Sequence, residues 1–192
     1  KINFDHQNIA KTLEYIEFEN EHYLIKNYVE GIDFQKFYSN RKLYSKANQK
    51  FYLKCLKSAL NGLREIHKRG IIHRDIRPTN LILEYKNNSQ KFDYENPNIK
   101  IIDFGLAKFR KTDDNRKKTP FALIYSPPEQ ILNFNNLVNE SSDLYSLAIS
   151  FYEIITRNKP FYYANPEVII NLQISQKLVY NKKINAELFK IL

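Results

Sequence analysis

Three oxygen-bearing side chains stand at spacings that suggest chemistry on a charged group. Asp75 and Asn80 lie five positions apart in the string HRDIRPTN, and Asp103 follows Asp75 by twenty-eight positions, behind an apolar run and ahead of Phe104-Gly105. A carboxylate can accept a proton from a hydroxyl group, and carboxylate and amide oxygens are the ligands that Mg²⁺ prefers. The set therefore suits a site that binds a divalent cation and accepts a proton.

Three strings in a fixed order carry a family resemblance. HRDIRPTN at 73–80, DFG at 103–105 and SPPEQ at 126–130 together resemble the HRDxKxxN, DFG and APE signatures of the eukaryotic-like serine/threonine protein kinases. The resemblance implies ATP- and magnesium-dependent transfer of the γ-phosphate to serine or threonine hydroxyls of protein substrates. It implies Asp75 as the catalytic base and Asn80 and Asp103 as ligands of Mg²⁺.

Arg77 is a departure from the family pattern. Most serine/threonine members place a lysine there that contacts the transferring phosphate, and the resemblance implies this catalytic role for Arg77. The charge is preserved, but a planar guanidinium does not replace a compact ammonium freely. Tyrosine kinases usually read differently across this loop, which favours serine/threonine specificity.

The string YLIKNYVEG at 23–31 resembles the strand and hinge that bind adenine in this family. The resemblance implies that Lys26 is the gatekeeper, that the backbones of Asn27 and Val29 bond the base, and that Ile82 forms the floor of the ATP pocket. Taken alone, these residues also read as an ordinary strand and turn.

Two acidic residues after the DFG string have structural roles in the family. The resemblance implies that Asp143, in SSDLYSLAISFYEI, bonds the backbone of the catalytic loop, since a buried carboxylate without partners is costly. Asp143 also reads as a first-turn helix residue stabilised by the helix dipole. Glu129 pairs in the family with an arginine late in the domain; no arginine follows Arg157, so we expect that partner beyond Leu192.

The stretch after Asp103 resembles an activation segment. The resemblance implies that Arg74 could pair with a phosphate on Thr112 or Thr119, although many kinases need no such phosphate. Ala122 stands where a threonine is usual, which weakens the expectation for substrate docking.

Hydrophobic periodicity indicates the elements that must position these residues. A three- and four-residue spacing predicts an amphipathic helix over 48–69, ended by Gly70, and a run that is apolar nearly all round predicts a buried helix over 143–156. We expect a polar surface loop at 86–98. The remaining predictions are strands within 9–18 and at 23–25, 71–72, 81–83 and 99–102, and helices at 34–37, 167–173 and 186–192.

These elements predict an α+β, protein-kinase-like fold with a mainly α-helical C-lobe plus the last strands and hinge of the N-lobe. We expect one partial domain over 1–192, with the end of the N-lobe and the hinge at 1–30 and a truncated C-lobe at 31–192. The chain has no methionine and only four glycines, none clustered. The absence of a glycine-rich loop and of its lysine predicts a fragment that is nearly inactive alone.

Composition bounds the other classes of function. With 43% hydrophobic residues over 192 positions the chain can bury a core, and the single Cys55 permits no disulfide framework, which favours a reducing compartment. No apolar run reaches the length of a membrane span, so we expect a cytoplasmic protein. The net charge is +9, but its densest basic stretch, 108–118, also contains Asp113 and Asp114 and has no aromatic residue beyond Phe109, so we expect no nucleic-acid partner.

Two other readings remain open. A pseudokinase or scaffold would keep the fold for binding without chemistry, and Arg77 and Ala122 favour it. A small-molecule phosphotransferase would share the two aspartates and the asparagine, but such enzymes generally lack a Phe-Gly pair like Phe104-Gly105 and a PPE string like that at 127–129.

Overall fold

The computed structural model describes residues 4–19, 21–86, 90–109 and 122–192. A short 3₁₀ turn, Pro78–Asn80, precedes the fifth strand. In chain order the strands and helices are β1 (Thr12–Phe18), β2 (Glu21–Lys26), β3 (Gly31–Asp33), α1 (Phe34–Ser39), α2 (Arg41–Tyr44), α3 (Gln49–Lys68), β4 (Ile71–Ile72), β5 (Leu81–Glu84), β6 (Ile99–Ile101), β7 (Lys108–Phe109), α4 (Pro128–Ile131), α5 (Glu140–Thr156), α6 (Pro166–Ser175) and α7 (Ala186–Ile191).

The long amphipathic helix α3 confirms the prediction over 48–69. The Asn48 side chain caps it by accepting a hydrogen bond from the Phe51 N–H at 2.9 Å, and Gly70 follows its end with a φ of 69°. That positive φ suits glycine, which has no side chain to clash. The buried face of α3 holds Phe51, Tyr52, Cys55, Leu56, Ser58, Ala59, Gly62, Leu63 and Ile66.

The central helix α5 differs from the prediction in two respects. It begins at Glu140, one turn before Asp143, because Asn139 and Ser142 form a capping box. It is also neither buried nor apolar on every side. Leu144 is 44% exposed, and the buried positions include the carboxylates of Asp143 and Glu153. These two carboxylates are tolerated inside because each accepts hydrogen bonds.

Two small antiparallel sheets position the front of the molecule. Strands β1 and β2 form the predicted hairpin, and β3, β5 and β6 form a three-stranded sheet in which β5 is central. The sequence pattern missed β3. A Cβ on Gly31 would lie 2.3 Å from the Leu83 carbonyl oxygen, so only glycine lets β3 pair this closely with β5.

The connection between β5 and β6 is more than a surface loop, which corrects the prediction for 86–98. In its described part, the Phe92 ring lies 5.9 Å from that of Phe37, and the Tyr94 ring lies 5.3 Å from that of Phe51. These two aromatic rings extend the core because they bury more apolar area against α1 and α3.

The remaining helices and the cysteine follow the sequence pattern. Helices α1, α6 and α7 confirm the predicted helices to within two residues at each end. Cys55 is fully buried, and burial raises the pKa of its thiol well above the usual range. None of the helices in the described ranges is both long and apolar enough to cross a membrane.

Candidate active site

The loop after β4, residues 73–77, is held in place by hydrogen bonds to α5. The buried Asp143 carboxylate accepts hydrogen bonds from the backbone N–H of His73 at 2.9 Å and of Arg74 at 2.8 Å. The predicted role of Asp143 as the anchor of this loop is thereby confirmed. Arg74 takes a φ of 68°, a left-handed conformation that these two bonds help to hold.

His73 joins the loop to the end of β6. Its Nδ1 accepts from the Asp75 N–H at 3.3 Å, and its Nε2 lies 3.1 Å from the Ile102 carbonyl oxygen, to which it can donate. Burial lowers the pKa of His73, which favours the neutral ring with its proton on Nε2. The ring also packs 4.9 Å from Phe104.

Asp75, Arg77 and Asn80 lie together. The Asn80 amide nitrogen donates to both the Asp75 backbone oxygen and its Oδ2, each at 2.8 Å. The Arg77 Nε lies 3.4 Å from the same Oδ2. Burial raises the pKa of Asp75, and the Arg77 charge and the Asn80 hydrogen bond partly oppose that rise.

Asp103 comes directly after Ile102, the residue just after β6 that is hydrogen-bonded to Asn80. The Ile102 N–H donates to the Asn80 backbone oxygen at 3.0 Å, and the next residue, Asp103, turns outward with a φ of 62°. Its Oδ1 accepts from the Gly105 N–H at 3.1 Å. Asp103 is exposed and lines the pocket described below.

The residues fit magnesium bound together with a nucleotide. The described ranges contain no group of three or more His, Cys, Asp or Glu side chains that could form a protein-only metal cage. Mg²⁺ in nucleotide sites usually takes one or two protein ligands and completes its shell with phosphates and water. Because the Asn80 amide nitrogen donates a hydrogen bond to Asp75, the Asn80 amide oxygen is the atom that can bind a cation.

A pocket of about 360 Å³ lies between the hinge region, β5 and the end of β6. This volume is within the range of small-molecule sites. Its lining includes four residues predicted to bind nucleotide or metal, Asn27, Val29, Ile82 and Asp103, as well as the half-buried Lys26. Asp75, Arg77 and Asn80 do not line it, but the Asn80 backbone oxygen is hydrogen-bonded to Ile102, which does.

The backbone at the pocket mouth is partly committed. The Asn27 N–H donates to the Lys11 carbonyl at 2.9 Å, so its carbonyl oxygen is the group left for a ligand. Within the described residues, no backbone hydrogen bond uses the Val29 N–H. The segment 27–29 thus presents one acceptor and one donor two residues apart.

Two side chains that sequence reasoning missed also hold this region. The Gln130 amide donates to the Arg74 carbonyl at 2.9 Å, and the buried Glu153 carboxylate accepts from the hydroxyls of Tyr38 and Tyr125, each at 2.7 Å. The signal for Glu153 was present, since a carboxylate in a helix predicted to be buried must have partners. The identity of those partners depends on α1 and on the segment before α4.

Two expectations on the segment after Asp103 have partial outcomes. Ser142 donates its hydroxyl proton to Glu129 Oε1 at 2.6 Å, so a described partner exists, and an arginine partner stays a prediction. Thr112 and Thr119, which Arg74 was expected to meet after phosphorylation, lie outside the described residues.

Comparison with known proteins identifies the family of this chain. The family model of the protein kinase domain matches residues 1–190. The chain is 29% identical over 158 residues to calcium-dependent protein kinase 4 of Plasmodium berghei (strain Anka) and 30% identical to that of Plasmodium falciparum (isolate 3D7). Each match covers 82% of this chain and 28% of the relative, so the chain spans well under a third of the relatives' length. The chain therefore belongs to the protein kinase domain family.

Proposed function

We propose that this domain transfers the γ-phosphate of ATP, with Mg²⁺, to serine or threonine hydroxyls of protein substrates. One observation carries the proposal: the residues expected to bind nucleotide line one pocket, and the expected base and metal ligand are hydrogen-bonded to each other beside it. The two relatives are named as protein kinases, which supports the same class of reaction.

In this proposal Asp75 accepts the proton of the substrate hydroxyl. Its environment suits a base, since burial raises the pKa of the carboxyl while the Asn80 amide holds it in one orientation. The hydroxyl oxygen attacks the γ-phosphorus, the bond to the β-γ bridging oxygen breaks, and the proton passes to Asp75. Mg²⁺ held by Asn80 and Asp103 would neutralise charge on the phosphates.

The hinge and pocket position the nucleotide. The Asn27 carbonyl would accept from the adenine amino group, and the Val29 N–H would donate to a ring nitrogen. Ile82 would contact the ring face from the pocket floor, and Lys26 would border the inner side of the pocket. Arg77 would supply positive charge near the transferring phosphate, as its lysine counterpart does in the family.

The arginine contact also supports a second function, that of a pseudokinase scaffold. The Arg77 guanidinium lies 3.4 Å from Asp75 Oδ2 and competes with a substrate hydroxyl for that oxygen. A domain in which this contact persists would bind partners without phosphate transfer.

The test is transfer of radiolabelled γ-phosphate to serine/threonine peptides by the protein at its full natural length. We expect Asp75→Asn to lower the rate by at least about 10²-fold, because general-base assistance is of that size or larger. Asp5→Asn, a change in an exposed surface carboxylate, is the matched control. An unchanged rate in Asp75→Asn refutes the assignment of the base. If the unmodified protein shows neither transfer nor stabilisation by magnesium-ATP, the scaffold function stands.

A further inference from the structure

A second pocket lies on the exposed side of α3, away from the nucleotide pocket. Its volume is about 380 Å³, and it shares no lining residue with the first pocket. Three parts of the chain meet there: the segment before β1, the helix α3 and the residues just before β6. The residues that matter for its chemistry are Asn8, Lys54, Lys57, Ser58, Asn61 and Asn98.

The base of this pocket is a rigid polar network. The Asn8 amide nitrogen donates to Ser58 Oγ and Asn98 Oδ1, both at 2.7 Å, and to the Ile99 carbonyl at 3.1 Å. The Ser58 hydroxyl oxygen accepts from the Ile99 N–H at 2.9 Å. Asn8 is only 1% exposed. Because these bonds join three separate parts of the chain, the pocket is preformed.

This network leaves one acceptor without a donor. Asn8 Oδ1 is buried and has no hydrogen-bond partner in the part of the chain that the structure describes. Turning the amide around would not help, since its nitrogen already faces two acceptor oxygens, on Asn98 and Ile99. This oxygen is closed to solvent, so it belongs to the base of the pocket and the groups open to a ligand lie on the rim.

The rim of the pocket is positively charged. Lys54 and Lys57 lie on the outward face of α3, which continues through Lys50 and Arg64 at helical spacing. Glu95 lies 3.7 Å from the Lys50 Nζ and 3.6 Å from the Lys54 Nζ. One carboxylate thus serves two ammonium groups, and Lys57 forms no ion pair with any described residue.

We propose that this pocket binds an acidic peptide segment of a partner protein. The ammonium groups of Lys54 and Lys57 would bind anionic side chains, and the amide of Asn61 would pair with a peptide group. A peptide fits better than a nucleic acid, because none of the nine lining residues that the structure describes is aromatic and single-stranded nucleic acids bind largely by stacking on aromatic rings. The anionic side chain can be a carboxylate or a phosphoserine.

Fluorescence anisotropy with the full-length protein tests the proposal. The probe is a fluorescein-labelled peptide of alternating aspartate and glycine. It is compared with three other ligands: a peptide in which asparagine replaces each aspartate, a peptide of alternating phosphoserine and glycine, and an oligothymidylate of equal charge. We expect both acidic peptides to bind and the asparagine peptide not to bind. The ratio of the two acidic affinities identifies the preferred anion.

Variants locate the binding. We expect the double variant Lys57→Glu/Asn61→Asp to weaken the acidic peptide by at least about tenfold, because it places two negative charges at the rim. Lys177→Glu changes an equally exposed lysine elsewhere and should leave affinity within about twofold. Asn61→Asp alone, which keeps the side-chain shape, is measured beside them, with melting temperatures to confirm folding.

Several outcomes overturn the proposal. They are the absence of binding by either acidic peptide, equal losses in Lys57→Glu/Asn61→Asp and Lys177→Glu, equally tight binding of the oligothymidylate, and displacement of the peptide by magnesium-ATP. The last outcome would place the peptide in the nucleotide pocket. Because the two pockets share no residue, the result does not depend on whether the domain transfers phosphate.

Discussion

The carboxylate of Asp143 lies 2.9 Å from the backbone nitrogen of His73, so the most deeply buried helix is bonded directly to the loop that carries Asp75. Oδ2 also meets His67 Nε2 at 2.7 Å, and Oδ1 accepts from Arg74. The loop has little secondary structure of its own. Its conformation is therefore set by the core, and the position of Asp75 depends on a residue sixty-eight positions later in the chain.

We predict that Asp143→Asn lowers the free energy of unfolding by about 2–3 kcal/mol, because an amide nitrogen replaces one acceptor and faces backbone donors in a buried site. Urea unfolding followed by circular dichroism measures the change. Glu187→Gln, in an exposed ion pair on α7, should change stability by no more than about 0.5 kcal/mol. Equal stabilities of the two variants would contradict the anchoring role.

The pKa that defines the acid limb of the pH profile of kcat/KM should lie above about 3.9, the ordinary pKa of an aspartate. Burial raises the pKa of Asp75, and only the ionised carboxylate accepts a proton, so activity is lost as pH falls through that raised value. Arg77→Gln should move the limb to still higher pH, because the Arg77 charge lowers the pKa. Lys182→Gln is the control for loss of a distant charge, and a limb that moves equally in both variants would contradict the assignment.

Asp103→Asn should remove most of the magnesium dependence of ATP binding. Asparagine keeps the shape of the side chain and tolerates the φ of 62°, so the loss reports the carboxylate charge and not backbone strain. The measurement is the rise in melting temperature on adding ATP with and without Mg²⁺. Asp5→Asn should keep the magnesium increment, whereas its persistence in Asp103→Asn would show that Asp103 is not a ligand.

Tyr125→Phe should destabilise the protein by about 1.5–3 kcal/mol, because it removes a hydrogen bond to the buried Glu153 carboxylate. Tyr145→Phe on α5 is the matched control. Its buried hydroxyl has no partner in the described part of the chain, so we expect a change within about 0.5 kcal/mol. Similar unfolding midpoints for the two variants would show that the Glu153 contact contributes nothing.

Periodic patterns predicted the long elements well. Helix α3 was predicted within one residue at each end because its apolar spacing and Gly70 agree. Short elements were missed: β3 has three residues, and its position depends on pairing with β5, which is distant in the chain. The contacts of the polar residues inside α5 could not be predicted either, since partners such as Tyr38 and Tyr125 come from other parts of the chain.

By itself, the sequence determined the kinase resemblance, the residues that could carry the chemistry and the helix that underlies them, because residue types and short spacings are local properties. The tertiary structure alone decided that Asn80 donates to Asp75, that Asp103 borders the same pocket as Asn27 and Val29, and that three amide and hydroxyl side chains build a second pocket on α3. These contacts join residues far apart in the chain, and only the packing of buried helices and sheets brings such groups within hydrogen-bond distance.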